Sequence, residues 1–318
     1  MYVVNTLAPV FLIIILGVLL QKTSFLSPQL SRESNRLVYW VGLPCLLFNE
    51  TANVSIASGS ALRVSVVLVV GCLGCIILAY LISRLLHLSG PSEGAFVQAA
   101  FRGNLAYIGL PVVSYAISQA PGTSAVASLS GEQLQSLAVL SFAPLVPLYN
   151  AMAVLVLVTG SHRSQANPWL TLLRSVVTNP LLLACVLGLG WTVTGLPLPP
   201  WLGNTCQTIG QMSLPLALLG IGVSLATTRV RGQVALSMLA TLLKVAGAPI
   251  LGVLVANWMG LSATERTIAL LYLACPTAVA SYIMAEQLGG DETLTSSTIV
   301  LSTLLSTVVL AIILSAFY

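Results

Sequence analysis

The sequence predicts an all-α membrane protein of ten transmembrane helices arranged as two inverted five-helix repeats. Three observations carry that expectation. The 318 residues are 57% hydrophobic and only 6% charged, against roughly 25% charged in a soluble domain. Ten apolar stretches approach the ~20 residues that cross a hydrocarbon layer. Proline and glycine positions also recur at a fixed spacing between the two halves of the chain.

The spans, in order, are 4–20, 35–50, 62–86, 94–119, 134–159, 168–194, 203–226, 233–258, 265–288 and 294–316. The first, 4–20, lacks a basic leader and is long enough to be a span in its own right rather than a cleaved signal. The second is short. Several carry prolines in mid-span: Pro44, Pro111, Pro144 with Pro147, Pro180, Pro215, Pro249 and Pro276. An interior proline costs a helix ~3 kcal/mol, and inside a bilayer the freed carbonyls are tolerated only where they face protein or a wet cavity. Broken helices therefore mark a pathway.

Pro9 and Gly17 are matched by Pro180 and Gly188, and Leu43-Pro44 by Leu214-Pro215, each pair 171 positions apart. Gly109-Leu110-Pro111 and Ala274-Cys275-Pro276 are 165 apart, a slip that a loop absorbs. The halves, 1–163 and 164–318, read as two copies of one unit. An odd number of spans per copy turns the second copy upside down, and inverted repeats with broken helices are characteristic of secondary transporters whose site lies near the midplane.

Orientation follows from the basic residues. Lys22, Arg32, Arg36, Arg84, Arg163, Arg174, Arg229 and Arg231 fall on one side, and Arg63 and Arg266 on the other. The first side is expected to be cytoplasmic, with both termini on the non-cytoplasmic side. Asn53-Val54-Ser55 matches a glycosylation triplet, of a kind common by chance.

Composition also excludes function classes. Twelve Lys+Arg against eight Asp+Glu, dispersed along the chain, cannot neutralise a phosphate backbone, so no nucleic acid is expected as a partner. Cys45, Cys72, Cys75, Cys185, Cys206 and Cys275 lie in or beside apolar runs and read as packing residues; Cys72-x-x-Cys75 has no second pair or histidine in register. No metal, cofactor or catalytic residue is expected. His87 and His162 lie in loops far from any buried nucleophile, which argues against an enzyme.

Ionisable residues within spans are the candidates for function. Lys244 lies near the middle of the eighth span, and Arg102 about eight residues into the fourth. No carboxylate lies at mid-span: Glu50 and Glu286 sit in last turns. Cationic groups without a buried acid point to an organic anion as cargo. Gly109 and Pro111 are expected to bracket an unwound turn whose amides and dipole favour a carboxylate, with Asn104 about two turns upstream and Tyr107 between. Pro276, Thr277 and Ser281 form the counterpart in the ninth span, and the two breaks would cross at the centre. Two roles are open for Lys244: attracting the anion, or holding carbonyls freed by the breaks.

The string Arg102–Val112 resembles the Asn-x4-Gly-x-Pro signature of the auxin efflux carrier family, which includes the plant PIN proteins and many bacterial organic-acid permeases. Ala274–Ala285 looks like the family's ninth helix and Pro215–Leu225 like its seventh. The resemblance implies a fold related to bile-acid and sodium/proton symporters. It also implies a scaffold from helices 1, 2, 6 and 7, a transport domain from helices 3–5 and 8–10, and crossed broken helices 4 and 9 moving substrate in an elevator step. Asn104 matches the substrate-binding asparagine, and Pro111 and Pro276 match prolines near the crossover. The long cytoplasmic loop of the plant carriers is absent, with only 160–168 joining the halves, and Ser281 replaces a second ninth-helix proline; both features are those of a short bacterial-type member. The expected function is secondary transport of a small organic anion, an auxin-like, mono- or dicarboxylic acid, across a bacterial inner membrane. A proton or Na+ is a candidate coupling ion, and a homodimer is compatible with the sequence. A channel or substrate sensor on the same scaffold is the rival reading.

Overall fold

The computed structural model describes residues 2–53, 59–88, 90–119, 131–160, 178, 180–227 and 232–317. His162, Arg163, Arg174, Arg229, Arg231, Ser55 and most of 160–179, including the start of the sixth expected span, lie outside the described residues. All regular elements among the described residues are helices. Gly59–Leu85, Pro200–Thr227, Val234–Trp258 and Glu292–Ala316 are each long and apolar enough to cross a membrane; Leu7–Lys22, Leu105–Ile117 and Leu148–Gly160 are shorter apolar helices.

The surface pattern inverts that of a soluble protein. Along the last helix, Leu304, Val308 and Ile312 recur at four-residue spacing and are exposed, while Thr295, Thr298, Ser302 and Ser306 on its other face are buried. Hydroxyls inside and aliphatics outside are what a lipid solvent selects, because lipid tails do not penalise Leu. The hydroxyls bond carbonyls one turn back, as in Thr298 Oγ1 to Leu294 O at 2.8 Å. The chain is an integral membrane protein.

The chain divides into two compact units. Unit 1 comprises Met1–Leu62, Ala106–Val146 and Val177–Thr227. It holds α1 (Tyr2–Lys22), α2 (Pro28–Leu37) and α3 (Leu43–Ala52). Ser27 caps α2 by accepting from the Leu30 amide, and Pro28 opens it. A widened, π-helical turn at Val38–Gly42 joins α2 to α3. The short second span is thus the apolar end of a longer helix whose start is polar. Unit 2 comprises Arg63–Leu105, Pro147–Val176 and Thr228–Tyr318. Helices α4 (Gly59–Leu85) and α5 (Gly90–Phe101) enter it. Then α6 (Leu110–Gln119) and α7 (Gly131–Phe142) belong to unit 1, and α8 (Leu145–Gly160) mostly to unit 2. Helices α9 (Pro180–Val193), α10 (Pro200–Gln211) and α11 (Ser213–Thr227) complete unit 1.

Helices α12 (Val234–Leu242), α13 (Ala248–Trp258), α14 (Ala263–Leu273), α15 (Ala280–Leu288) and α16 (Glu292–Phe317) complete unit 2. Within it α5 packs on α12 and α16, α12 on α16, and α13 on α14. A capping box, in which Ser262 and Glu265 bond each other's amides, starts α14. Glu265 also accepts from Arg63 at 2.7 Å, tying the start of α14 to α4. The sequence places Arg63 on the non-cytoplasmic side; the structure pairs it with a buried carboxylate.

The prolines correct one expectation. Pro44, Pro111 and Pro249 do not break their helices. Each is preceded by a π-helical turn ending in glycine, in the pattern Gly-x-Pro: Val38–Gly42, Leu105–Gly109 and Leu243–Gly247. A proline ring collides with the carbonyl four residues back. In all three cases that carbonyl, on Trp40, Tyr107 or Val245, lies inside the widened turn. Pro180 opens α9, and Pro144 sits in the turn between α7 and α8.

In unit 1, α1 packs along α11 and α3 along α9. Gly17 approaches Leu219 O and Gly222, while Gly188 approaches Phe48 O and Thr51. The second set of positions is the first displaced by 171. Gly42 and Ser213, also 171 apart, meet each other.

A Cβ at Gly222 would lie 2.8 Å from Gly17 Cα and 2.9 Å from Val18 N. Backbone cannot yield there without parting α1 from α11. We expect Gly222→Ala to destabilise the detergent-purified protein by about 1–3 kcal/mol, read as a lower melting midpoint. Gly190→Ala, whose Cβ meets nothing within 4 Å, should leave the midpoint unchanged.

Candidate functional site

The fourth span is interrupted at Arg102–Asn104 and the ninth at Ala274–Val279, and both interruptions lie in unit 2. Gly103 and Thr277 form an antiparallel bridge. The Asn104 amide donates to Pro276 O at 2.8 Å, and the Ala278 amide to Arg102 O at 2.9 Å. Two unwound segments thus pair with each other, which satisfies backbone groups that hydrocarbon could not. Pro276 has no amide to donate, so it serves the pairing through its carbonyl.

The fourth-span break falls seven residues before Pro111, inside Arg102-Gly103-Asn104, where no proline stands. Gly109 and Pro111 therefore do not bracket an unwound turn; they close the π-helical turn and begin α6. Asn104 lies in the break itself instead of two turns from it. Tyr107, Gly109 and Pro111 belong to unit 1, whereas Arg102, Asn104, Lys244, Pro276, Thr277 and Ser281 belong to unit 2. The structure brings the second group together around the bridge.

Side chains finish what the bridge begins. Thr277 Oγ1 donates to Ala99 O at 2.8 Å, and the Thr277 amide donates to Ser302 Oγ at 3.0 Å. Lys244, on the π-helical turn that follows α12, is fully buried, and its Nζ donates to Leu273 O at 2.5 Å. Arg102 is 7% exposed; its Nη2 donates to Asn150 Oδ1 at 2.7 Å and its Nη1 points to Met284 Sδ at 2.6 Å. Phe101 and Tyr149 stack edge to face beside it, with ring centroids 5.8 Å apart.

Against these committed groups stand polar atoms with no partner among the described residues. Asn104 is 5% exposed, its main-chain amide is used in the bridge, and its Nδ2 bonds nothing among the described residues. The same holds for Ser281 Oγ and for both polar atoms of Gln98, which is fully buried one turn before Arg102. A buried donor left unpaired costs roughly 1–3 kcal/mol. Such groups at a helix break constitute a site that can hydrogen-bond a ligand. Among the described residues no group of three or more His, Cys, Asp or Glu is placed to hold a metal ion.

Gln98, Ser302, Asn150 and Met284 are absent from the sequence-based candidates. Gln98 had a signal, being a lone amide in the apolar run Ala95–Phe101. Ser302 belongs to the hydroxyl stripe Thr295, Thr298, Ser302, Ser306, legible as a helical face. Asn150 and Met284 carried none, since only the fold brings them to Arg102.

A membrane protein whose described elements are all helices, with two helix breaks paired in one compact unit, is consistent with a transporter. The chain matches the family described as "Membrane transport protein" over residues 2–314 and belongs to it; this is the auxin efflux carrier family. It is also 26% identical over 310 residues to an uncharacterized transporter of Methanothermobacter thermautotrophicus, covering 96% of this chain and 95% of that one.

Thr277→Val removes the hydroxyl that holds Ala99 O and leaves a buried carbonyl unpaired. A loss of about 1–3 kcal/mol is expected, visible as a lower melting midpoint, while Thr277→Ser should keep most of the stability. Equal midpoints for the valine and serine variants would show that the hydroxyl holds nothing.

Proposed function

We propose that the protein is a secondary active transporter for a small organic anion and that Asn104 is the residue that recognises its carboxylate. The observation that carries this reading is the Asn104 Nδ2 donor, buried and without a partner among the described residues, at the point where the two breaks pair. The N-terminus of α15 begins three residues beyond the bridge and adds a positive dipole end. Pro276 and Ser281 line the same stretch, and Thr277 and Arg102 hold it through Ala99, Ser302 and Asn150. The match to a family of membrane transport proteins fits a carrier and not an enzyme.

The wider proposal is a ten-helix carrier of two inverted repeats, 1–163 and 164–318. What supports the repeat is the exchange of glycine contacts by the 171-residue offset in unit 1. Helices 3–5 and 8–10 would move as the transport domain in an elevator step against helices 1, 2, 6 and 7. In support, α1, α2, α3, α9, α10 and α11 share one compact unit, and α4, α5, α8 and α12–α16 make up most of the other, although α6 and α7 of spans 4 and 5 fall in the first. We place the protein in a bacterial inner membrane with both termini outside the cytoplasm.

A thermal-shift screen against mono- and dicarboxylates tests the substrate class, since a ligand that binds only the folded state raises stability with the logarithm of its concentration. For the anion so found, Asn104→Ala is expected to weaken binding about ten- to a hundredfold, the worth of ~1.5–3 kcal/mol for a hydrogen bond to a charged group, without lowering the melting midpoint of the free protein. Unchanged affinity removes Asn104 from the site. Saturable counterflow in proteoliposomes separates a carrier from a channel or sensor.

Topology is tested separately. Reporters fused after Gly160 and after Tyr318 should report opposite sides, cytoplasmic and external. Agreement between them, or a cytoplasmic C-terminus, overturns the ten-span arrangement.

A further inference from the structure

We infer that the Lys244 ammonium is a tethered counter-cation occupying the place where a mobile monovalent cation would bind at the crossover, so that the protein needs no coupling metal ion. The inference takes from the proposed function only that the paired breaks are the working site.

The argument begins with hydrogen-bond accounting at the end of α14. In an unbroken helix the Leu273 carbonyl would accept from the amide of Thr277. Here that amide goes to Ser302 Oγ, and Leu273 O is left to Lys244 Nζ at 2.5 Å. The Lys244 amine is therefore the group that meets the carbonyl the break releases. The same ammonium lies against the other break: a Cβ built on Gly103 would stand 3.1 Å from Lys244 Cε and 3.3 Å from Nζ.

Helix α5 ends at Phe101 and α14 at Leu273. Two C-terminal ends, each carrying roughly half a negative charge, thus converge on one buried cation. No carboxylate pairs with Lys244 among the described residues, so the backbone is its counter-charge. A carbonyl-lined, negatively polarised, water-poor position is what a dehydrated alkali cation or an ammonium ion would seek. The chain fills it with an ammonium of its own, held on a stem that cannot leave. A second cation arriving there would meet like charge at close range in a medium of low dielectric.

The experiment uses the purified full-length protein with no organic anion present, so its result stands whether or not a carboxylate substrate is found. Melting midpoints are measured for wild type, Lys244→Ala and Lys244→Gln in sodium, potassium and methylammonium chloride, each against choline chloride at equal ionic strength. The wild type should melt at the same temperature in all four. Both variants should melt lower in choline, and Lys244→Ala should regain stability saturably in methylammonium or in an alkali salt, the small cation entering the space the side chain left. If Lys244→Ala gives no folded protein in choline, its recovery when purified in methylammonium is the supporting result. A wild-type midpoint that rises specifically with sodium overturns the inference, as does a set of variants in which neither responds to any small cation.

Discussion

Every backbone amide and carbonyl at the two helix breaks has to find a partner without water, and the organisation of unit 2 follows from that requirement. The Gly103–Thr277 bridge satisfies the amides of Asn104 and Ala278. Thr277 Oγ1 takes the Ala99 carbonyl, Ser302 Oγ takes the Thr277 amide, and Lys244 takes the Leu273 carbonyl. These contacts tie α5, α14, α16 and the turn after α12 to one another. What remains unpaired is therefore informative. Asn104 Nδ2, Ser281 Oγ and Gln98 Nε2 lie where the structure has spent other groups on its own backbone, and a ligand's oxygens can accept from these donors.

Both units use close glycine packing, in unit 2 at Gly90 against Gly160 and at Gly94 against Val156 O, but unit 2 adds a network of directed bonds around its breaks. In unit 1, glycines let main chains touch: Gly17 against Gly222, Gly210 against Leu46, and Gly42 against Ser213. Such contacts rely on close packing, the interaction left to helices once the solvent is as apolar as their side chains. In unit 2 the interior is hydroxylated and carries a cation, and its helices are joined by directed bonds. Close backbone packing resists deformation because its atoms cannot move aside. A network of hydroxyls and carbonyls can exchange partners, which is the property a site must have if it is to admit and release a polar ligand.

Much of this was legible in the sequence, for reasons that are local. Low charge content and apolar runs identified a membrane protein, the 171-residue recurrence matched positions that meet in unit 1, and Asn104, Lys244, Pro276 and Thr277 converge as their residue types suggested. The misreading concerned proline. A proline's demand is confined to the carbonyl four residues back, and one widened turn ending in glycine meets it at Pro44, Pro111 and Pro249. The real interruption at Arg102–Asn104 contains no proline, because it is imposed from outside by pairing with Pro276 and Ala278. A break fixed by a partner more than 170 residues away leaves no mark in its own segment. The Asn150 and Met284 contacts to Arg102 were unreadable for the same reason.

The bridge also explains why a lysine stands where it does. Gly103 and Thr277 face each other, and four residues before each lies a carbonyl released by its break: Ala99 on one side and Leu273 on the other. Thr277 reaches across to Ala99 with its own hydroxyl. A perfectly symmetric pair would have position 103 reach across to Leu273 in the same way. Glycine has no side chain to do so, and the space it leaves is the space through which Lys244 approaches, since a Cβ there would crowd Cε and Nζ. One carbonyl is thus served by a neutral hydroxyl and its counterpart by a buried charge. Gly103 and Lys244 are in this sense a single substitution spread over two elements, and it places the lysine's nitrogen against Gly103 and the Leu273 carbonyl.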